Sequence, residues 1–308
     1  MSPRGKASRG VPGILDRARA TLFGVAVGDA LGATAEFMTP AEIRDRYGVH
    51  REIVGGGWLK LLPGQVTDDT EMTLCVARGI VRSGRWALGP IADRFAHWLS
   101  GDPSDVGATC RRGIEEYMKN GRIEAPPDER GAGNGAAMRV APVALYTLGD
   151  KELLSRLAVE QAHITHHHPL SDAACVSVGT MIQRGLLGAS PRDLREAADT
   201  LAARHPEFRL EGYDGNSSAY VVDTLRTVFD AFFSTDNFED CVLKTVNRGG
   251  DADTTGSIAG AIAGARYGLD AIPRRWLHAL DPDLRGELSA LAEALVRKSP
   301  LFAGTSPR

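Results

Sequence analysis

Cysteine is scarce in this sequence and never paired. Cys75, Cys110, Cys175 and Cys241 are the only four in 308 residues, and no two stand at CxxC spacing. That excludes a zinc knuckle, a thioredoxin-type redox site and a dense disulfide framework, and it points to a reducing, cytoplasmic setting. An excess of one charge is lacking as well: 36 Lys and Arg face 39 Asp and Glu, a formal net charge of −3. Such a chain has no field to draw in nucleic acid or an anionic membrane. No apolar run approaches the roughly 18 residues of a membrane span, so no direct membrane anchor is expected. Residues 1–13 (MSPRGKASRGVPG) hold cations without the apolar stretch of an export signal, and they read as a disordered tail. Strand-like alternation is also hard to find.

What the sequence does have is helical period and glycine. Apolar residues recur three or four apart at Ile14, Ala18, Leu22 and Val25, and again at Ile91, Phe95, Trp98 and Leu99. The same beat returns around Cys110, Ile114, Tyr117 and Met118, around Val222, Leu225, Phe229 and Phe232, and around Leu284, Leu288, Leu291 and Leu295. The expected fold is all-α, a compact multi-helix domain over residues 14–300, with 301–308 as a tail. No repeat and no long linker divides it. Glycine, 35 residues, exceeds the usual share of about 7% and calls for placement. Part of it lies in SIAGAIAGARYG (257–268), a helix whose small residues let another helix approach closely.

Two short acidic segments stand out. Thr67-Asp68-Asp69-Thr70 precedes a helical stretch, and alone it reads as an N-cap. Asp251-Ala252-Asp253-Thr254-Thr255-Gly256 repeats the arrangement before the glycine-rich helix. Together they offer four carboxylates and several hydroxyls, with oxygen as the only donor. Such a set selects hard cations, Mg²⁺, Mn²⁺ or Ca²⁺, and four clustered carboxylates call for about two divalent ions. A two-metal site of this kind can hydrolyse a phosphate ester or clamp the vicinal hydroxyls of a sugar, and spacing alone does not choose.

The run from Gly131 to Arg139 (GAGNGAAMR) is either an anion-binding entry to a helix or a plain loop-to-helix turn. Of His163, His166, His167 and His168, only His163 and His166 have the spacing to share a helical face, and most of the four read as structural. Glu36, expected at the end of the first helix, and Asp105 are each either solvated turn carboxylates or catalytic ones.

In this order, GDALG (28–32) with Glu36, TDDT (67–70), AGNGAAMR (132–139), ITH (164–166) and GGDADTTG (249–256) resemble the ADP-ribosylglycohydrolase family, from about residue 15 to about 280. The resemblance implies an all-helical fold with two Mn²⁺, or Mg²⁺, in a cleft. It implies Thr67, Asp68, Asp69, Asp251, Asp253 and Thr254 as ligands, Asp105 as the catalytic aspartate, and Glu36 as a carboxylate beside the metals. It further implies that Gly133, Asn134 and Gly135 cradle a pyrophosphate, that His166 contacts ADP-ribose, and that Glu129 and Tyr220 line the ligand pocket, Tyr220 stacking on adenine.

Within the family, GGGWLK (55–60), GQVTDDTEM (64–72), EQAHITH (160–166) and DADTTG (251–256) are most similar to the branch acting on ADP-ribosylated dinitrogenase reductase. That branch implies cleavage of an arginine N-glycosidic bond and reactivation of nitrogenase. It also implies regulation by a PII signal protein and recruitment to an ammonium channel at the inner membrane through a protein partner. The competing readings are hydrolysis of a serine-linked or O-acetyl ADP-ribose, a two-metal phosphoesterase, and a relative that keeps the fold without catalysis.

Overall fold

The computed structural model describes residues 13–303. Along them run α1 (Ile14–Gly32), α2 (Pro40–Tyr47), α3 (Asp68–Ser83), α4 (Leu88–Ser100), α5 (Ala108–Asn120), α6 (Ala141–Tyr146), α7 (Lys151–Ala162), α8 (Pro169–Leu186), α9 (Pro191–Arg204), α10 (Val221–Phe233), α11 (Phe238–Val246), α12 (Ala252–Tyr267), α13 (Arg274–Ala279), α14 (Pro282–Arg297) and α15 (Pro300–Ala303). Among the described residues no strand forms; extended pairing is confined to isolated antiparallel bridges, Gly56 with Leu61 and Gly133 with Tyr220. The chain is all-α, as its periodicity predicts. Among the described residues, no helix is long and apolar enough to cross a membrane.

At the centre lie α1 and α12. Each is buried on nearly every side, α1 continuously from Ala20 to Gly32 and α12 from Ala252 to Ala265, as befits helices without a polar face. They run antiparallel with backbones touching. A Cβ on Gly24 would meet the Gly260 carbonyl oxygen at 2.0 Å, one on Gly28 that of Gly256 at 2.0 Å, and one on Gly264 that of Ala20 at 2.1 Å. Spacing by four sets Gly24, Gly28 and Gly32 on one face of α1, and Gly256, Gly260 and Gly264 on one face of α12. Glycine costs a helix about 1 kcal/mol per residue relative to alanine, and here close backbone contact offsets it. Close packing is the role expected for residues 257–268, in a helix that starts five residues earlier. The outer helices turn apolar stripes onto this pair, so one buried cluster extends from Ala18 to Val296. Met118 departs from its predicted stripe and is 51% exposed, because α5 buries only Cys110, Gly113 and Ile114 and packs Tyr117 partly against the core.

Several helices are capped by the usual chemistry. Thr39 and Glu42 form a capping box on α2, and Asp150, Ser190, Asn237 and Asp281 each accept a first-turn N–H. Thr67 and Asp251 do not: they precede α3 and α12 without a side-chain cap bond. Both motifs, the first of which alone reads as a cap, are therefore free for something else.

Several boundaries shift. The first helix ends at Gly32, with Glu36 in the turn beyond it, because the Phe37 N–H leaves the helical ladder for the Gly250 carbonyl at 2.7 Å. The glycine-rich run does not enter a helix directly. Residues 134–139 form successive turns, Ala137 and Met138 both donating to Asn134 O, and α6 begins only at Ala141. At the C-terminus, Leu301 donates to Leu148 O at 3.0 Å and α15 extends to Ala303, so the predicted tail starts later. Residues 1–12 and 304–308 of the two predicted tails lie outside the described residues; Gly13 is the N-cap of α1.

Candidate functional site

The antiparallel crossing of α1 and α12 sets the C-terminal end of one beside the N-terminal end of the other. Asp29, in the last turn of α1 and fully buried, reaches across to α3. Its carboxylate accepts from the Thr67 N–H at 3.0 Å, the Thr67 hydroxyl at 2.9 Å, the Thr70 N–H at 3.0 Å and the Thr70 hydroxyl. The cap missing at Thr67 is thus supplied from another helix. Burial raises the Asp29 carboxyl to about 6 despite these four bonds. Sequence reasoning missed this residue, although a carboxylate inside the otherwise apolar run from Leu22 to Leu31 was the available signal.

With α3 pinned, its acidic first turn faces that of α12. Thr254 Oγ1 donates to Asp69 Oδ2 at 3.2 Å, which joins the two motifs directly. Glu36, Asp251 and Asp253 each bring one carboxylate oxygen within 4.8 Å of the others. Asp68, Asp69 and Asp253 are buried, and burial is the chief cause of their strongly raised pKa values. Asp105 adds to it for Asp68, Asp29 for Asp69, and Asp69 for Asp253. Burial also lifts Glu36 to about 7. Asp69 Oδ1 is buried with no hydrogen-bond partner. The Thr67 and Thr254 hydroxyls spend their protons on carboxylates, so their lone pairs stay available. Mutually repelling oxygens, one of them orphaned, with no Lys or Arg among the described residues hydrogen-bonded to any of them, form a donor set that fits a divalent cation.

Asp105 lies half-buried in the loop between α4 and α5. Burial raises its pKa, and that loop is tied to the cluster by the Gly107 N–H, 3.4 Å from Asp68 Oδ2. Glu36 is held from outside by Trp58, whose Nε1–H donates to Oε2 at 2.5 Å. Trp58 belongs to the GGGWLK segment, and its contact with Glu36 was not legible in the sequence.

Asn134 links the glycine turn to the acids: its Nδ2 donates to Asp251 Oδ2 at 2.6 Å and to the Thr224 hydroxyl at 3.0 Å. Its own N–H goes to Ala219 O, so it is not offered to an anion. Gly133 pairs with Tyr220, which is 42% exposed at the start of α10. The ring of His166 fills the space that side chains at Gly133 and Gly135 would take; a Cβ at either would meet it at 2.9 Å. Glu129 is exposed in the preceding turn, and among the described residues no hydrogen bond or ion pair ties it to this group.

The other histidines are structural, and His163 does not share a face with His166, because α7 ends at Ala162. His163 stacks on His167 at 3.7 Å and binds Asp172 at 3.0 Å, while His168 caps α8. Arg139, fully buried without a carboxylate, donates to Gln161 and to the Thr165 hydroxyl at 2.8 Å, and it lies over the Phe95 ring. That hydroxyl is 2.8 Å from His166 Nδ1.

Burial first, then Arg139 and Arg112, push the His166 imidazole down to about 3. Because its folded pKa lies below the unfolded value of about 6.5, its stabilising share is whole above pH 6.5 and is lost as pH falls towards 3. Between pH 7 and pH 5 this amounts to about 2 kcal/mol. Urea titrations of wild type and His166→Asn across that range are expected to differ in slope accordingly, and parallel curves would refute the assignment.

Comparison with known proteins accords with this geometry. A family model described as ADP-ribosylglycohydrolase matches residues 11–301. The ADP-ribosyl-[dinitrogen reductase] glycohydrolase of Rhodospirillum rubrum is 51% identical, over 92% of this chain and 97% of that protein. The ADP-ribosylarginine hydrolase Tri1 of Serratia proteamaculans is 34% identical over 93% of this chain and 80% of its own. Among solved structures, an ADP-ribosylglycohydrolase-related protein complex superposes with a TM-score of 0.82 at 37% identity, covering 93% of this chain and 99% of that one. With fold, motif order and overall sequence in agreement, the chain belongs to the ADP-ribosylglycohydrolase family and is a glycohydrolase.

Proposed function

We propose that this protein hydrolyses the N-glycosidic bond between ADP-ribose and an arginine side chain of a target protein, with ADP-ribosylated dinitrogenase reductase as the target. The observation that carries the reading is the Asn134–Asp251 hydrogen bond, which sets a glycine turn suited to a pyrophosphate against an acidic cluster suited to cations. The target follows from the 51% identical relative and its name. Residues 14–300 act as one domain in this reading, in keeping with their shared core.

Thr67, Asp68, Asp69, Asp251, Asp253 and Thr254 would hold two Mn²⁺ or Mg²⁺ ions, with Glu36 beside them. When bound, these ions supply positive charge that fixes the vicinal ribose hydroxyls. Gly133 and Gly135 face the pyrophosphate. The Thr165 hydroxyl, accepting from Arg139, turns its proton to His166 Nδ1, which leaves the ring proton on Nε2 to donate to the ligand. Tyr220 stacks on adenine through its exposed face, and Glu129 closes the pocket rim. Asp105 holds the guanidinium and delivers the proton that the leaving nitrogen needs. Glu36, oriented by Trp58, takes the proton from the attacking water. Regulation by a PII signal protein and recruitment to an ammonium channel rest on the family resemblance of the sequence.

Mass spectrometry of the products formed from an ADP-ribosyl-arginine peptide by the Mn²⁺-loaded enzyme tests the reading. Intact ADP-ribose and unmodified arginine peptide are expected. AMP or inorganic phosphate would instead mark a phosphoesterase, and release only from a serine-linked peptide would mark another linkage.

A further inference from the structure

Two aromatic rings stand on the outer side of Glu36: Phe37 has no part in that scheme, and Trp58 enters it only through its Nε1–H on Glu36. Phe37 is 65% exposed and Trp58 49% exposed, their centroids 5.4 Å apart. Both are held out by backbone. Phe37 has φ 61°, a left-handed conformation that bulky side chains avoid. It is kept there by its N–H on Gly250 O at 2.7 Å and by the Gly250 N–H on Met38 O at 2.9 Å. Trp58 follows Gly55, Gly56 and Gly57, all at positive φ, and a Cβ on Gly57 would strike Ala33 O at 2.3 Å. A backbone strained at Phe37 and turned by three glycines before Trp58 thus sets two large apolar rings beside Glu36, where a ligand can meet them.

The chemistry of the surroundings identifies that ligand. The rings border a recess of about 710 Å³ whose walls carry Glu36, Glu42 and Asp45 against the single cation Arg46, and Arg46 lies over the Tyr47 ring. Carboxylates and aromatic faces repel a pyrophosphate and attract a guanidinium. The recess is lined from two places only, seven residues between Thr34 and Arg46 and the pair Gly57 and Trp58, whereas the turn assigned to the nucleotide belongs to residues 131–139. We infer that Phe37 and Trp58 form the target-side subsite, an aromatic platform that receives the arginine-bearing segment of the modified protein while the ADP-ribose lies on the other side of Glu36. This inference rests on the proposed arginine specificity.

Phe37→Gly tests it, because glycine removes the ring and relieves the strained φ together. Two substrates are compared: ADP-ribosyl-arginine as the free amino acid and the same group within an arginine-rich peptide. The ratio of kcat/KM for peptide to kcat/KM for amino acid is expected to fall about tenfold through the peptide KM, the size of one cation–π contact, with the melting temperature unchanged or raised. An unchanged ratio, or equal slowing of both substrates with a lower melting temperature, would overturn the subsite. A second arm does not depend on turnover. Unmodified arginine-rich peptide is expected to quench tryptophan fluorescence in wild type and not in Trp58→Phe, and equal quenching in both refutes the platform. If wild type releases no ADP-ribose from either substrate, the functional reading fails, while the fluorescence arm still decides the platform.

Discussion

Asp69→Asn is expected to stabilise the cation-free protein and to destroy its response to cations. In the folded chain Asp69 Oδ1 is buried with no partner, and the Asp29, Asp68 and Asp251 carboxylates all add to the pressure against its charge. An ionised group in that position costs several kcal/mol that an amide of the same shape does not. Cation-free, the variant should gain about 1–3 kcal/mol. Saturation at a hundred times Kd should raise wild-type stability by about 2.7 kcal/mol. The variant should show little of that gain, since even partners outside a metal's ligand shell change affinity about 10–100-fold. Calorimetric melting with EDTA and then with Mn²⁺ should therefore reverse the order of the two proteins, with hydrolysis lost in the variant. Equal cation-induced shifts would show that the cluster does not hold the ion.

Asp29→Ala is expected to be among the most destabilising single changes in the chain, by about 3–5 kcal/mol. It strips four donors of their acceptor at once, the N–H and hydroxyl groups of Thr67 and Thr70, and both threonines are fully buried. Each unsatisfied buried donor costs about 1–3 kcal/mol, less the relief of removing a carboxylate that repels Asp69. Asp29→Asn keeps one oxygen acceptor and turns an NH₂ towards the remaining donors, so it should cost about half as much. Denaturant titration gives the energies, and hydrogen exchange at residues 67–70 should show the start of α3 opening before the rest of the helix. A loss below about 1 kcal/mol for Asp29→Ala would mean that α3 is positioned by packing alone.

Much of the architecture was legible because helical burial repeats every three or four residues, and such a pattern survives in one dimension. The close-packing role of residues 257–268 was readable for the same reason: glycines four apart share a face whatever they meet. Met118 was misjudged because periodicity says which residues share a face, and only the packing of α5 says how much of that face is covered. Glu36 was placed on a helix because nothing local marks Phe37 as the residue whose N–H pairs with Gly250, more than two hundred positions away.

The two acidic motifs were visible as sequence because each is a contiguous run with an unusual concentration of oxygen donors. By itself the sequence determined the all-α class, the donor chemistry of the cluster and, through the order of its motifs, the family. Only the tertiary structure decided which residues act together. Asp29 hands its carboxylate to a motif 38 positions on, Asn134 reaches Asp251, and Trp58 holds Glu36. The same hydrogen-bond accounting decided that Thr67 is no cap and that His166 belongs with the glycine turn and apart from its neighbouring histidines. The physical reason is the range of the forces: propensity and periodicity act over a few residues, whereas the cost of a buried charge or an unpaired donor is settled by whatever the fold brings within about 3 Å.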